Sequence, residues 1–218
     1  MIAEKFALNN ISFPEQESIP EPYSSWCKSF LKERSSLQYK NITLRATSAC
    51  RSFPWEIRLP SKDFKAWLRE QNSYAYFFDG ASKGNPGVAG AGGILLDPGG
   101  QIELDFAWGI GNKTNNEAEW LALLQGLQFL HSQNYRKVLI FGDSKHVISK
   151  MINGYPMGAV NCRRLYKKPK ILMHNSYKPL HILRLNNSDV DIMANLGASL
   201  SQGHYRKNGN LIIHKHIL

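Results

Sequence analysis

The stretch from Thr114 to about Gln133 places the strongest constraint on the fold. Thr114 and Glu117 form the pattern of a capping box, which predicts that a helix begins here. The helix is apolar around most of its circumference, at Ala118, Trp120 to Leu124, Leu127, Phe129 and Leu130. Because such a helix leaves little polar surface for water, we expect it to be central and buried.

Three segments before this helix predict an antiparallel meander. Tyr74–Phe78 is an apolar run that ends at Asp79, and Gly93–Leu96 is a second short apolar run. Apolar residues then alternate with polar ones, which is the period of a half-buried strand: Ile102, Leu104, Phe106 and Trp108 against Gln101, Glu103 and Asp105. The glycine-dense stretch Gly80–Gly93 is predicted to be the loop between the first two strands.

The second half of the chain predicts alternating strands and helices. Val138–Phe141 and Leu180–Leu185 are short apolar strands, while Ser144 and Asn187 are predicted to cap the helices that follow. Residues 161–177 have a helical pattern, but proline inside a helix removes a hydrogen bond, so Pro169 should break or kink it. The order β-β-β-α-β-α-(α)-β-α predicts an α/β fold with a mixed sheet and helices on its faces.

The first 72 residues differ from the rest of the chain. The opening stretch to Ser25 is polar and rich in proline, which predicts loop or disorder. Alternating runs at 42–46 and 55–59 predict strands, and a helix is predicted to open at Pro60-Ser61. We expect three regions: a partly disordered N-terminal extension of unknown role (1–72), a main domain (73–202) and a basic C-terminal tail (203–218).

Charge is distributed unevenly along the chain. The formal net charge is +10, and the stretch from Ser144 to Ser188 has no acidic residue but nine lysines and arginines. Residues 192–218 hold no acidic residue either. Long acid-free stretches favour an anionic partner, with nucleic acid as the first candidate. A basic face kept for solubility is the simpler alternative.

Composition excludes several other classes. No apolar run approaches the roughly 18 residues of a membrane span, and the first ten residues lack the apolar core of a secretory signal. The three cysteines include no C-x-x-C pair, which excludes a disulfide scaffold and a four-cysteine zinc site. We expect an intracellular protein of the nucleus or cytoplasm, with no membrane partner, and a monomer.

Four carboxylates stand in surroundings where a charge is costly. Asp79 and Asp143 each end an apolar strand, Glu119 lies on the buried helix, and Asp191 lies beside small residues of the last helix. A buried carboxylate without a partner is expensive, and four together would repel one another unless a cation neutralised them. A cluster without histidine or cysteine suits Mg²⁺, and two such ions can activate water and stabilise the leaving oxygen in phosphodiester hydrolysis.

These acidic residues also have simpler structural interpretations. Asp143 precedes a helix, and taken alone it is better explained as a cap. Glu117 is assigned to the capping box and Asp189 to the helix dipole. Three more carboxylates are predicted at turns or outward strand positions: Asp97, Glu103 and Asp105. The glycine-dense stretch has neither the Walker nor the EF-hand pattern, and a tight hairpin explains it equally well.

Four ordered motifs are more specific than any of these patterns. They are YFFDGASKGNPG at 76–87, TNNEAE at 114–119, GDS at 142–144 and HILRLNNSDVDIMAN at 181–195. Together they resemble ribonuclease H of the type 1 class, and the last resembles the plant retroelement-type ribonuclease H domains. The resemblance covers about residues 73–202 and implies a ribonuclease H-like fold, with three antiparallel strands and then parallel strands in a five-stranded sheet.

The resemblance also implies a reaction and the residues that perform it. It implies Mg²⁺-dependent endonucleolytic cleavage of the RNA strand of RNA/DNA hybrids, with two ions for which Mn²⁺ can substitute, leaving 3′-hydroxyl and 5′-phosphate ends. Glu119 is selected over Glu117, because the glutamate of the family falls three residues after the second asparagine. The implied catalytic and metal-binding carboxylates are Asp79, Glu119, Asp143 and Asp191.

Four further positions match substrate-binding residues of the family. Asn85 and Thr114 match positions that hold a phosphate of the DNA strand. Asn115 and Asn116 match the pair that lies in the minor groove of the hybrid, where 2′-hydroxyl groups distinguish RNA from DNA. The resemblance therefore implies an RNA/DNA hybrid as the nucleic-acid partner.

The chain departs from the family pattern near the last helix. Bacterial members carry a mobile loop with a catalytic histidine there, whereas residues 182–190 contain no histidine and His181 is predicted on the strand. The basic protrusion of bacterial members is not recognisable, although the basic run 163–168 could replace it electrostatically. An alternative is therefore a catalytically weak or inactive nucleic-acid-binding module derived from a retroelement. A third hypothesis is a resolvase or integrase of the same fold, against which the Asn115-Asn116 pair weighs.

Overall fold

The computed structural model describes residues 53–153 and 160–213. In chain order the elements are β1 (Glu56–Ile57), α1 (Ser61–Glu70), β2 (Tyr74–Gly84), β3 (Gly87–Leu96), β4 (Ile102–Lys113), α2 (Asn115–Ser132), β5 (Val138–Gly142), α3 (Lys145–Asn153), α4 (Val160–Leu172), β6 (Lys178–Ile182), a 3₁₀ turn (Arg184–Asn186), α5 (Ser188–Ser199), β7 (His204–Lys207) and β8 (Asn210–Ile213). None of the helices in this described part of the chain has the length and apolar character needed to cross a membrane.

The sheet is mixed and runs in the order β1-β6-β5-β2-β3-β4-β7-β8. β2, β3 and β4 form an antiparallel meander, while β5 runs parallel to β2, β6 to β5, and β1 to β6. The predicted α/β fold with a mixed sheet and a meander is confirmed. The predicted number of five strands is wrong, because the sheet has eight strands within residues 53–153 and 160–213. β1 lies within the strand predicted at 55–59, which was assigned to the N-terminal extension, whereas β7 and β8 have only four residues each, too few for an alternating pattern to be recognised.

Residues on both sides of the predicted main domain take part in this sheet. The N-terminal extension contributes β1 and α1, and the Phe64 ring of α1 packs edge-on against Phe141 of β5 with centroids 5.5 Å apart. Residues 203–218, predicted to be a basic tail, contain β7 and β8, and β7 pairs with β4. The strand at 42–46 and the loop or disorder to residue 25 lie outside the described residues. The domain boundaries stay a prediction.

The glycine-dense stretch forms two strands and is not a loop. β2 continues to Gly84 and β3 begins at Gly87, so only Asn85 and Pro86 connect them. Asp79 therefore lies within β2. The sequence analysis had placed Asp79 at the end of this strand, which is wrong. Glycine usually marks loops, but within a strand it also marks a site where another backbone approaches closely.

Two of these glycines let helices approach the sheet from opposite faces. A Cβ atom on Gly80 would lie 2.2 Å from the backbone nitrogen of Glu119 in α2, and one on Gly92 would lie 2.5 Å from that of Ala194 in α5. Gly92 pairs with Asp79, the neighbour of Gly80, so the pleat points the two glycines in opposite directions. Helices α2 and α5 therefore cover opposite faces of the sheet next to Asp79.

The central helix α2 is buried as its apolar circumference predicts. Trp120, Leu123 and Leu127 are almost completely buried, and the Tyr76 hydroxyl donates a 2.7 Å hydrogen bond to the carbonyl of Ala122. The capping box is also present. The Thr114 hydroxyl oxygen accepts from the backbone N–H of Glu117, and the Glu117 side chain accepts from the backbone N–H of Thr114. These contacts fix where the helix begins on the sheet.

Helix α4 continues through Pro169, which the sequence analysis expected to break or kink it. The proline lies in the last turn, and its carbonyl still accepts from the N–H of Met173 at 2.9 Å. Proline removes its own N–H bond but leaves its carbonyl free to accept, so the cost near a helix end is limited.

Candidate active site

Three carboxylates from separate elements meet beside the end of β5. Strands β2 and β5 run parallel with Phe77 opposite Phe141, so Asp79 and Asp143, two residues further on, fall side by side. Glu119 reaches the same place from α2. One carboxylate oxygen from each of the three residues lies within 4.8 Å of the others.

The close approach of Glu119 depends on Gly80. A Cβ atom at this position would lie 2.2 Å from both the carbonyl carbon of Ala118 and the backbone nitrogen of Glu119. The N–H of Gly80 also donates a 2.8 Å hydrogen bond to Oδ1 of Asp79. The residue after Asp79 thus both orients that carboxylate and admits the helix that carries Glu119.

Burial and mutual repulsion raise the pKa values of the cluster. Burial is the largest cause of the raised pKa of Asp79, about 7, and the charges of Asp143 and Asp191 add to it. The pKa of Glu119 lies well above its usual range, again through burial first and then through the charges of Asp79 and Asp143. Burial also raises the pKa of Asp143, against the opposing effect of the Arg184 cation.

The carboxylate cluster has the properties of a metal site. Oε2 of Glu119 is buried and has no hydrogen-bond partner among the residues that the structure describes. An unpartnered buried carboxylate oxygen is costly, and a divalent cation would satisfy it. All the donors are carboxylate oxygens, which suit the hard cation Mg²⁺ better than a soft metal. The residues present therefore fit Mg²⁺.

Asp191 lies near this cluster but is held by other partners. Its Oδ1 accepts from Nη2 of Arg184 at 2.8 Å, and its Oδ2 accepts from the Asn195 side chain at 3.1 Å. Among the described residues, the group of three mutually close carboxylates does not include it. Its charge still raises the pKa values of Asp79 and Asp143, so it acts electrostatically on the same cluster.

Asn187 joins α5 to the site in a way that the sequence did not indicate. It was predicted to cap α5, but its side chain makes no capping hydrogen bond. Its amide nitrogen instead donates to the carbonyl of Phe78 at 3.1 Å and approaches Oδ1 of Asp143 at 3.4 Å. This asparagine is 1% exposed, so it ties the end of the site to β2 from within the core.

The four predicted substrate-binding residues lie around the start of α2. Thr114 caps the helix, and the backbone N–H of Asn115 donates to Oδ1 of Asn85 at 3.2 Å, which connects the β2–β3 turn to the helix. Asn85 and Asn115 are exposed, while Thr114 and Asn116 are half-buried. All four are thus close in space to the helix that carries Glu119.

Asp105 was predicted to point outward from its strand, and the structure corrects this. It is 6% exposed, because β7 pairs with β4 and the turn that follows β7 covers it. Burial raises its pKa, although the backbone N–H groups of Asn208 and Gly209 in that turn lower it in part. The alternation of 101–108 could not reveal this, since β7 itself was not predicted.

Three further residues near the cluster were assigned no role in the site from the sequence: Arg184 and His181, which lie in the fourth motif, and Glu56, which lies outside all four. Arg184 supplies a cation beside the carboxylates. His181 lies on β6 as predicted, and its Nε2 is 3.1 Å from the backbone carbonyl oxygen of Asp143. Glu56 of β1 lies 3.6 Å from Nδ1 of the same histidine. Strand pairing brings Glu56 next to His181, so no short-range pattern in the sequence could indicate this contact.

Comparison with known proteins identifies relatives for the central part of the chain. The model of the reverse transcriptase-like family matches residues 77–197. Ribonuclease HI of Halobacterium salinarum is 31% identical over 121 residues, which are 55% of this chain and 61% of the relative. An Arabidopsis thaliana protein named for ribonuclease H is 30% identical over 133 residues, which are 58% of this chain and 21% of that protein. The match thus spans about three fifths of the first relative's length and one fifth of the second's.

Solved structures show the same fold. The crystal structure of RNase H1 from Halobacterium salinarum superposes with a TM-score of 0.52 and 29% identity, covering 57% of this chain and 96% of that one. LC11-RNase H1, isolated from compost by a metagenomic approach, superposes with a TM-score of 0.54 and 26% identity, covering 58% of this chain and 96% of that one. This LC11-RNase H1 structure was solved in complex with an RNA/DNA hybrid.

Proposed function

The chain belongs to the reverse transcriptase-like family, and on that premise we propose that it hydrolyses the RNA strand of RNA/DNA hybrids with the help of Mg²⁺. Two relatives are named for ribonuclease H, and one structural neighbour was crystallised with such a hybrid. These likenesses support the substrate class, while the cluster of carboxylates supports the chemistry.

A single observation carries this proposal. Asp79, Glu119 and Asp143 place one carboxylate oxygen each within 4.8 Å of the others, and Oε2 of Glu119 is buried with no partner among the described residues. A module that only binds nucleic acid gains nothing from negative charge that faces phosphates. The arrangement therefore favours metal-dependent chemistry over simple binding.

The residues of the cluster would hold the cation. Asp79, Glu119 and Asp143 are the first ligands in this proposal, and Asp191 is the fourth carboxylate available to them. When bound, Mg²⁺ would supply activation of a water molecule and stabilisation of the leaving oxygen. The Gly80 N–H and the Asn187 amide hold the carboxylates of Asp79 and Asp143 in place, through contacts of 2.8 and 3.4 Å.

Substrate contacts are proposed for the residues around the start of α2. The exposed side chains of Asn85 and Asn115 can donate hydrogen bonds to a phosphate or to a 2′-hydroxyl group. Thr114 lies at the helix N-terminus, where backbone N–H groups favour anions. We propose that the hybrid lies across this end of α2, so that its RNA strand reaches the carboxylates.

The basic helix α4 offers a second contact with the nucleic-acid backbone. Lys167, Lys168 and Lys170 are exposed on it. Lysines that neutralise phosphates release counterions, so binding through this face should weaken steeply as salt rises. This contact positions the hybrid and does not distinguish RNA from DNA.

The proposal is tested by incubating the purified full chain with labelled RNA/DNA hybrid, duplex DNA and duplex RNA, in Mg²⁺ or in EDTA. We expect cleavage of the hybrid alone, with loss of cleavage in EDTA. The variant Asp79→Asn should be inactive, and Asp63→Asn, in the first turn of α1, is the matched control. Cleavage that persists in Asp79→Asn would contradict the proposal.

The second candidate function is binding of the hybrid without turnover. One observation favours it: Asp191 is engaged by Arg184 and Asn195 and stays outside the group of three. The same experiment separates the two functions, because the binding module would retain the hybrid in a filter or gel-shift assay while leaving its RNA strand intact in Mg²⁺.

A further inference from the structure

The residues just before the family match reach the candidate active site through β1. The family model begins at residue 77, whereas β1 comprises Glu56 and Ile57. β1 runs parallel to β6 with Glu56 opposite His181, and β6 runs parallel to β5 with His181 opposite Gly142. Glu56, His181 and Gly142 therefore form one row across three strands, which ends one residue before Asp143.

His181 contacts Asp143 directly. Its Nε2 lies 3.1 Å from the backbone carbonyl oxygen of Asp143, and because a carbonyl only accepts, the ring nitrogen donates. The backbone N–H of Lys145 donates to the same oxygen at 3.1 Å. Two donors thus hold the peptide that aims the Asp143 carboxylate.

Glu56 accepts a hydrogen bond from Lys145, one of the two donors to Asp143, and also borders His181, whose Nδ1 makes no hydrogen bond among the described residues. Its Oε1 lies 3.6 Å from Nδ1 of His181 and 3.2 Å from Nζ of Lys145, and its side chain is only 4% exposed. The backbone of His181 is fixed as well, since its N–H donates to the carbonyl of Trp55, the residue before β1, at 2.8 Å. A carboxylate this buried, which Arg58 also holds at 3.0 Å, restricts the movement of Lys145 and so of the turn that carries Asp143.

We propose that Glu56 and His181 are positioning residues, which fix the Asp143 carboxylate for metal binding through the peptide of Asp143. The inference rests on the proposed function for the role of Asp143 and extends the site to a segment outside the family match. Partners that orient a metal ligand commonly change metal affinity or activity by about 10-fold or more when they are removed. Neither residue touches the substrate in this proposal.

The test measures Mn²⁺ binding by titration calorimetry and hybrid cleavage by the full chain. His181→Leu and Glu56→Gln should weaken Mn²⁺ binding by about 10-fold and lower kcat, while KM for the hybrid stays unchanged. His181→Gln should restore most of the affinity, because its amide nitrogen can donate in place of Nε2. Glu70→Gln, an exposed change of the same kind on α1, is the matched control and should behave as the wild type.

The outcomes separate this inference from the proposed function. A wild type that neither binds Mn²⁺ nor cleaves the hybrid would overturn the proposed function. A wild type that does both, with His181→Leu and Glu56→Gln equal to it, would overturn the inference alone. A His181→Gln variant as weak as His181→Leu would also overturn it, since the loss would then follow from packing and not from the donated hydrogen bond.

A further variant covers the case in which changes at the buried pair prevent folding. Lys145→Met removes the amine from Glu56, and this lysine side chain is 48% exposed, so thermal melting should change little. We expect Mn²⁺ affinity to fall about threefold, because the hydrogen bond from His181 to the Asp143 carbonyl remains. Unchanged affinity in Lys145→Met would then count against the inference.

Discussion

Arg184 Nη2 donates to Oδ1 of Asp191 at 2.8 Å, and this ion pair holds Asp191 outside the group of three clustered carboxylates. The arginine acts on the whole cluster, since its cation also lowers the pKa values of Asp79, Asp143 and Glu119 in part. Arg184 therefore has two effects on the binding of a divalent cation. It competes for Asp191, and it reduces the negative charge of the site.

Replacing Arg184 with alanine should tighten metal binding. We expect the Mn²⁺ dissociation constant to fall about threefold, which matches the small free energy of an exposed ion pair. The metal-free protein should melt at a lower temperature, because the carboxylates lose a counter-charge. Titration calorimetry and thermal melting measure the two effects. Arg136→Ala, at the opposite end of β5 from Asp143, is the control, and weaker Mn²⁺ binding in Arg184→Ala would contradict the competition.

Removing the charge of Glu119 should separate activity from stability. Glu119→Gln should abolish cleavage of the hybrid and stabilise the metal-free protein, because a buried charge that repels Asp79 and Asp143 is lost. An increase of about 1 kcal/mol raises Tm by roughly 2–4 °C in a chain of this size. Melting in EDTA tests this, with Glu70→Gln as the control. A lower Tm in EDTA would mean that the Glu119 charge is compensated within the protein.

The raised pKa of Asp79 makes the stability of the metal-free protein depend on pH. Its value of about 7 lies above the ordinary value of 3.8, so the folded protein binds the proton more tightly than the unfolded chain does. Below pH 4 both states are protonated, and as pH rises from about 4 to 7 the unfolded state ionises first, so stability falls. Each unit of raised pKa corresponds to about 1.4 kcal/mol.

Urea unfolding in EDTA between pH 4 and 8 measures this dependence. We expect the free energy of unfolding to decrease up to about pH 7 and then to level off as far as Asp79 contributes. Asp79→Asn should flatten the curve in this window. Mn²⁺ affinity of the wild type should increase over the same range, because binding displaces protons. A wild-type curve that rises from pH 4 to 7 would contradict the raised pKa.

A methyl group at position 80 should disturb both the fold and the site. The Cβ atom of Gly80→Ala would lie 2.2 Å from backbone atoms of Ala118 and Glu119, so α2 must move away from β2. Overpacking of this kind costs about 1–3 kcal/mol. We expect lower thermal stability and at least about 10-fold weaker Mn²⁺ binding, as for other displaced ligands. Gly99→Ala, whose Cβ meets only the Asp97 side chain at 3.1 Å, is the control.

Equal Mn²⁺ binding by Gly80→Ala and the wild type would show that Glu119 does not depend on this close approach. Measuring both variants by calorimetry in the same buffer distinguishes loss of the metal site from loss of the fold. A variant that melts like the wild type but fails to bind Mn²⁺ would localise the effect to Glu119.

The elements with long local patterns were predicted from the sequence. The apolar circumference of α2, its capping box and the strand period of β4 are each properties of neighbouring residues, and the structure contains the helix, the cap and the strand, although burial along β4 does not alternate. Asp79, Glu119 and Asp143 were singled out because a charge stood in an apolar segment, and the structure brings them together. The sequence was sufficient to predict those features that depend on residues close together in the chain.

The remaining features depend on contacts between distant segments. Asp105 is buried only because β7 joins β4, and Asn187 turns to Phe78 and Asp143 only because α5 packs beside β2. Asp191 is engaged by Arg184, seven residues before it, through a side chain that is 79% exposed. No hydrophobic period encodes these relationships, so a single sequence could not reveal them.

The short strands at the two sides of the family match have a practical consequence for work on fragments. A fragment cut to residues 77–197 would lack β1, β7 and β8, and so would leave β6 and β4 as open sheet edges. Unpaired edge strands are templates for pairing with another chain. Such a fragment should self-associate at concentrations where the full chain does not, and its poor solubility would say little about the full chain.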